Sequence, residues 1–247
     1  MTAVRSRILI TVLTAGALTL GVAACGGGAG GSGASDTATP ETVQAAPETR
    51  STTVARATGD GVAVFADADD TEPVVAVPGT TSFGFRQAFL VLDEQDDSLR
   101  VLVPGRPNGA TGWIRRAEVE LQTVDHEVDI DLEARTLTLR SGGDVVLETP
   151  IAIGAPDAPT PTGRFFVTDL LETGDPDNDY GPYAAGLSGY SNVLSEFAGG
   201  DGQIGIHGTN DPSSIGQAVS HGCVRVPNDV ITTLATTVPV GTPVTIH

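Results

Sequence analysis

The feature that most constrains the fold is a series of short runs in which apolar and polar residues alternate between turns. Residues 128–132 read Val-Asp-Ile-Asp-Leu, and residues 136–139 read Thr-Leu-Thr-Leu. A Ser-Gly-Gly-Asp turn at 141–144 then leads into the apolar residues 145–147. A period of two is typical of strands that bury one face, so this part of the chain predicts a β-hairpin or meander.

Helical spacing is found in one place. Val230, Ile231 and Leu234 form an apolar stripe, and Asn228 is the expected N-cap of that helix. The sequence therefore predicts a mainly β chain with one or two short helices.

Residues 54–124 predict a small, all-β, barrel-like domain. Its short apolar runs lie at Val62–Phe65, Phe83–Phe85, Phe89–Leu92, Leu99–Val103 and Thr111–Ile114, with turn residues between them. The runs at 100–103 and 112–114 resemble bacterial Src-homology-3-like wall modules. The segment has no catalytic constellation, and Trp113 is expected in the core rather than as a ligand-stacking residue.

Residues 125–247 predict a second domain with the stronger strand signals. Further strands are expected at Arg164–Leu170, Ile204–His207 and Thr242–Ile246. The segment 172–190 is long, polar and rich in glycine, and it is expected to form a binding loop or lid.

Residues 1–25 have the pattern of a secretory signal. Arg5 and Arg7 precede a largely apolar stretch of 13 residues, which is too short to span a bilayer, and the segment ends Val-Ala-Ala-Cys. This ending resembles the lipobox of bacterial lipoproteins, which implies that Cys25 is lipidated; the alternative is a plain signal peptide with a coincidental cysteine. Residues 26–53 predict a flexible tether. The chain is expected to be exported and lipid-anchored to the outer face of the cell membrane.

The absence of lysine and the negative net charge exclude several functions. The 13 basic residues are all arginine, and the formal net charge is −18. Without lysine there is no P-loop lysine, Ser-x-x-Lys pair or Schiff-base lysine. The negative charge also argues against a nucleic-acid partner.

Candidate catalytic residues are concentrated between residues 204 and 226. Ile204 and Ile206 share one face of a predicted strand, so His207 projects from the other. The same alternation places His221, Cys223 and Arg225 on one face. Gly208 and Gly222 are expected to leave the backbone open to a substrate carbonyl.

These residue types suit acyl transfer. An imidazole can take the proton of a thiol whose ordinary pKa is near 8.5. Amide groups at a glycine turn can bind an oxyanion, and a guanidinium can bind a carboxylate. No cofactor is expected.

The elements His207-Gly208-Thr209-Asn210 and Ser220-His221-Gly222-Cys223-Val224-Arg225 resemble the signature of bacterial L,D-transpeptidases. The resemblance covers residues 125–247 and implies a β-sandwich-like domain that acts on peptidoglycan stem peptides. It implies that Cys223 is the nucleophile and His207 the general base. It further implies an oxyanion or orienting role for His221, Gly222 and Gly208, and substrate binding by Arg225, Ser220 and Tyr190. Members of the family usually accept carbapenems as acylating agents.

The expected reaction releases D-alanine from a tetrapeptide stem and forms a 3→3 cross-link. An L,D-carboxypeptidase that uses water as acceptor is equally consistent with the sequence, and a non-catalytic wall-binding lipoprotein is a third possibility. Cys223 could instead be structural, or bind zinc with His207 and His221, and Arg225 could simply pair with Asp229.

Overall fold

Seventeen strands and one α-helix build the part of the chain that the computed structural model describes, residues 51–247 without Ala198. The strands are β1 (Thr52–Ala57), β2 (Gly61–Val64), β3 (Val75–Pro78), β4 (Ala88–Gln95), β5 (Ser98–Leu102), β6 (Thr111–Arg115), β7 (Val119–Val124), β8 (His126–Asp131), β9 (Thr136–Ser141), β10 (Asp144–Pro150), β11 (Ile153–Gly154), β12 (Gly163–Glu172), β13 (Tyr183–Tyr190), β14 (Gln203–His207), β15 (Ala218–Ser220), β16 (Val224–Arg225) and β17 (Pro243–Ile246). Helix α1 spans Asn228–Thr237, and single 3₁₀ turns lie at Arg116–Glu118 and Pro212–Ser214. The predicted mainly β fold is confirmed.

The N-terminal predictions fall mostly outside this range. The predicted signal segment with Cys25 and the first part of the predicted tether lie outside the described residues. Strand β1 begins at Thr52 and therefore includes the last two residues of the predicted tether. Among the described residues, no helix combines the length and the apolar character needed to cross a bilayer.

Most strands belong to two large sheets. The first sheet contains only strands that end at or before Val124, and the second contains only strands that begin at or after His126. The first sheet has the order β6-β5-β4-β1-β7 and is antiparallel throughout. The second has the order β10-β9-β8-β17-β12-β13-β14-β16 and is antiparallel except for the pairs β17–β8 and β14–β16. The strands β2–β3 and β11–β15 form two small sheets. We call residues 51–124 the N-terminal module.

Strand β12 is buried on both faces and joins two hydrophobic clusters. Phe165 packs into the cluster that includes Ile206 and Ile231, between the large sheet and α1. Its neighbour Phe166 points the other way, into a cluster that includes Val54 of the N-terminal module. The continuous apolar run Phe-Phe-Val is what a strand covered on both faces requires.

We expect Phe166→Ala to destabilise the protein by about 3–5 kcal/mol, because the ring is fully buried and its removal leaves a cavity between the module and the large sheet. Urea unfolding followed by circular dichroism measures this. Phe83→Ala, at a phenylalanine that is 54% exposed, is the control and should change stability by less than about 0.5 kcal/mol. Equal effects of the two substitutions would contradict this account of the core.

In the N-terminal module one predicted strand is wrong and one observed strand was not predicted. Residues 83–85 form part of a turn, in which the amide of Gly84 donates to the carbonyl of Thr81, rather than a strand. A strand that was not predicted, Val75–Pro78, pairs with β2 instead. This strand is mostly exposed and lies alongside β2, so its sequence lacks the alternation of apolar and polar residues that indicates a strand with one buried face.

The predicted long loop is shorter than expected. Residues 183–190 form strand β13, which pairs with β12 on one side and β14 on the other. Strand β13 was not predicted because it contains glycines, and glycine is depleted in strands. A Cβ at Gly189 would lie 2.4 Å from the ring of Phe165, so this strand needs glycine to pack against the core. The loop proper covers residues 173–182, and we call it the β12–β13 loop.

Candidate active site

A cavity of about 220 Å³ lies at the end of β14 and beside the residues that precede β16. It is lined by five residues singled out from the sequence: His207, Ser220, His221, Cys223 and Arg225. The β12–β13 loop and the segment 191–202 complete its walls. These five sequence-predicted residues therefore come together around one space.

The parallel pairing of β14 with β16 produces this juxtaposition. His207 lies opposite Arg225 in the register, and Ile206 lies opposite Val224. Ile206 and Val224 are buried in the core of the large sheet. Since side chains alternate along a strand, His207 and Arg225 share the opposite face; His207 therefore projects away from Ile206, as predicted.

The segment around Cys223 is not the continuous strand that was predicted. β15 ends at Ser220, β16 begins at Val224, and Gly222 between them has a φ of +113°, which side chains rarely tolerate. The Ser220 hydroxyl donates to the carbonyl of Cys223 at 2.5 Å and accepts from the amide of Gly222 at 3.2 Å. Ser220 and Gly222 therefore shape the turn that presents the cysteine, and the Ser220 hydroxyl is engaged within the protein.

Cys223 is a free cysteine among the described residues and is half-buried. Desolvation raises the pKa of its thiol, and this is only partly opposed by a backbone hydrogen bond with Gly205 and by the charge of Arg225. The thiol is therefore protonated at neutral pH, and its use as a nucleophile requires a base.

His207 can serve as that base. Its side chain is buried, and its Nδ1 lies 2.6 Å from the carbonyl oxygen of Gly208. Because a carbonyl only accepts, Nδ1 must carry the proton, and Nε2 keeps its lone pair. Burial lowers the pKa of His207 to about 4; the hydrogen bond to Gly208 opposes this shift, and Arg225 adds to it. The imidazole is consequently neutral and able to accept a proton at neutral pH.

Asn228 fixes the backbone beside His207. It was predicted to cap α1, but its side chain makes no capping bond. Instead its Oδ1 accepts from the amide of Thr209 at 2.8 Å. A Cβ at Gly208 would lie 2.3 Å from that oxygen, so the space expected beside Gly208 is filled by Asn228 rather than left open. Gly208 acts through its carbonyl, which orients the imidazole.

Two aromatic contacts border the cavity. Tyr180 of the β12–β13 loop lies against His207, with ring centroids 4.7 Å apart, and Phe197 stacks on His221 at 4.6 Å. Phe197 was not recognised from the sequence; the only signal is a lone aromatic residue in a segment otherwise rich in glycine and polar residues. Burial raises the pKa of Tyr180, so its hydroxyl keeps its proton at neutral pH.

Arg225 is the cation of the site. Among the described residues its guanidinium is in no ion pair, and the expected alternative, a pair with Asp229, is not seen. Its Nε is buried and has no hydrogen-bond partner within the described part of the chain. A buried donor without a partner is costly, so the arrangement suits a ligand that brings an acceptor.

Tyr190 is not among the residues that line the cavity. Its ring lies under Arg106 of the N-terminal module, 4.6 Å from the guanidinium carbon. Across residues 51–247, Ala198 aside, no group of three or more histidine, cysteine, aspartate or glutamate residues is arranged to hold a metal.

Comparisons with known proteins identify relatives of the part of the chain that holds this cavity. Residues 125–246 match the YkuD family, the L,D-transpeptidase catalytic domain. The protein named as L,D-transpeptidase YkuD in Bacillus subtilis (strain 168) is 38% identical over 125 residues, which are 51% of this chain and 68% of that protein.

Two solved structures are also similar. Bdellovibrio bacteriovorus Bd1075 is 32% identical, with a TM-score of 0.38, over 49% of this chain and 47% of that chain, so the match spans less than half of that protein. The catalytic domain of the E. faecium L,D-transpeptidase acylated by ertapenem is 30% identical, with a TM-score of 0.35, over 49% of this chain and 96% of that chain.

Proposed function

Because the chain belongs to the L,D-transpeptidase family, we propose that it forms 3→3 cross-links between peptidoglycan stem peptides by acyl transfer through Cys223. The observation that carries the proposal is one cavity that holds a buried neutral imidazole together with a thiol and a guanidinium that, within the described residues, have no disulfide and no carboxylate partner. A thiol and a base in reach of one substrate carbonyl are the requirements of nucleophilic catalysis.

In the first half of the reaction, Cys223 Sγ attacks the carbonyl carbon of the peptide bond that joins the third stem residue to the terminal D-alanine. The thiol proton passes to Nε2 of His207 as the carbon–sulfur bond forms. The carbon–nitrogen bond then breaks, and the proton on His207 passes to the departing amine. The products are a thioester on Cys223 and free D-alanine.

In the second half, an amine of a neighbouring stem attacks the thioester. His207 takes a proton from that amine, an amide bond forms, and the cysteine sulfur leaves and regains its proton. We assign to Arg225 the binding of a stem carboxylate, since its buried Nε needs an acceptor and no ion pair neutralises its charge in the described part of the chain.

We also propose that residues 1–25 direct export and that Cys25 carries the lipid. The enzyme would then act in the cell wall while anchored to the outer face of the membrane. Only the sequence pattern supports this part of the proposal.

Product analysis tests the reaction. We expect the purified full chain, incubated with disaccharide tetrapeptides, to yield cross-linked dimers and one D-alanine for each dimer, measured by mass spectrometry. Release of D-alanine with tripeptide monomers and no dimers would instead identify an L,D-carboxypeptidase. Absence of D-alanine release would contradict both reactions.

A further inference from the structure

One wall of the cavity is a segment with little core of its own. Residues 191–202, which we call the wall segment, connect β13 to β14 and contribute Ser191, Leu194 and Phe197 to the cavity. Val193 and Phe197 of this segment are 56% and 41% exposed. Contacts with other parts of the protein must therefore fix its conformation.

Arg106 supplies one set of these contacts from the N-terminal module. It lies in the β5–β6 loop, residues 103–110, and its guanidinium donates to three carbonyls of the wall segment. The acceptors are Leu194 at 2.8 Å, Asp201 at 2.9 Å and Ser191 at 3.2 Å. One planar cation thus ties the beginning, the middle and the end of the segment together.

The fit around Arg106 is close. A Cβ at Gly202 would lie 2.4 Å from the carbonyl oxygen of Leu194 and 3.0 Å from Nη2 of Arg106. The guanidinium also lies over the ring of Tyr190, at 4.6 Å. A cation on an aromatic face is favourable, and it explains why Tyr190 faces the module rather than the cavity.

Asn108 supplies the second set. Its Nδ2 donates to the carbonyl of Tyr190 at 2.7 Å, and its Oδ1 accepts from the amide of the same residue at 2.9 Å. Nδ2 also lies 3.2 Å from Oδ1 of Asn192. The side chain therefore pairs with the end of β13 as a neighbouring strand would, where the wall segment begins.

We propose that the N-terminal module holds the substrate-binding wall of the cavity in place, with Arg106 and Asn108 as positioning residues. Phe197 of that wall stacks on His221, two residues from Cys223, so the position of the wall is coupled to the environment of the thiol. The inference takes the cavity as the donor site and in that respect rests on the proposed function.

Hydrogen–deuterium exchange tests the positioning without using activity. In Arg106→Ala and in Asn108→Asp, which has the same size but cannot donate to Tyr190, we expect the amides of residues 190–203 to exchange at least about tenfold faster than in the wild type. Exchange in β8 and β9 should not change. Arg100→Ala is the matched control, since it removes an exposed arginine of β5 in the same module.

Kinetics with the tetrapeptide donor provide the second readout. For both variants we expect KM to rise at least about threefold with kcat within about twofold of the wild type, and Arg106→Lys to fall between wild type and Arg106→Ala. If the wild type lacks turnover, the proposed function fails, while the exchange measurement still decides the positioning role.

Two results would overturn the inference. One is exchange of residues 190–203 in both variants no faster than in Arg100→Ala. The other is faster exchange throughout the large sheet in both variants, which would mean that the two residues stabilise the whole fold rather than the wall segment. If only Arg106→Ala unfolds, the same criteria are applied to Asn108→Asp and Arg106→Lys.

Discussion

Replacing Cys223 with alanine is expected to reduce D-alanine release from tetrapeptide stems by about 10⁴-fold or more. The thiol forms the covalent intermediate in the proposed reaction, and removing a nucleophile leaves only the acceleration from substrate binding and oxyanion stabilisation. No second cysteine lies among the described residues to take its place.

Acylation gives a direct measurement of the same effect. The wild type should gain the mass of one ertapenem molecule on the peptide that contains Cys223, and Cys223→Ala should gain none. Cys223→Ser keeps the size of the side chain and serves as a second variant, with circular dichroism as the check on folding. Turnover by Cys223→Ala above about 1% of the wild-type rate would contradict the assignment of the nucleophile.

The sequence predicts which residues line the candidate site better than it predicts their surroundings. Two short elements, His-Gly at 207–208 and Ser-His-Gly-Cys at 220–223, are sufficient to locate the site because the chemistry needs those residue types. Strand periodicity correctly predicts that the side chain of His207 points to the face of β14 opposite to that of the buried Ile206. These are local properties, which alternation and residue type encode directly.

The surroundings depend on contacts between distant residues. Asparagine is favoured at helix N-caps, which predicts a capping role for Asn228. In the structure, however, its side-chain oxygen accepts from the amide of Thr209, 19 residues away. Gly189 reduces strand propensity, yet the ring of Phe165 requires a glycine there. Neither partner can be inferred from spacing alone.

The same limitation applies to the N-terminal module. Its sequence predicted separate strands without catalytic residues, and nothing in it marks Arg106 and Asn108 as different from other polar loop residues. Their partners are more than 80 positions later in the chain. The packing of the module against the large sheet, in the cluster that includes Val54 and Phe166, brings the β5–β6 loop to the wall segment.

The pH dependence of acylation should reveal that the thiol and the imidazole are both neutral in the resting enzyme. Burial lowers the pKa of His207 to about 4 and raises the pKa of Cys223 above its ordinary value. We therefore expect the rate of acylation by ertapenem to be nearly constant from about pH 5 to 8, because neither group titrates in that range. The rate should fall as the pH decreases through about 4, where His207 takes up a proton and can no longer act as a base.

Folding must be monitored over the same range. The pKa of His207 is lower in the folded protein than its ordinary value of 6.5, so the unfolded chain binds the proton first as the pH falls. The contribution of this group to stability is complete above pH 6.5 and is lost progressively down to about pH 4, in total about 3 kcal/mol. His207→Gln lacks this contribution, so its melting temperature should fall less than that of the wild type between pH 6.5 and 4.

His207→Gln should also change the shape of the profile. Without a base, only the thiolate reacts, and at pH 7 the raised pKa of Cys223 leaves a very small thiolate fraction. We expect the acylation rate of the variant at pH 7 to be about 10²–10⁴-fold below that of the wild type, and to rise about tenfold for each pH unit until the thiol ionises. Stopped-flow absorbance at the carbapenem chromophore measures both profiles. A wild-type acid limb near pH 6.5, or a variant whose profile stays flat, would show that His207 is not the buried neutral base described here.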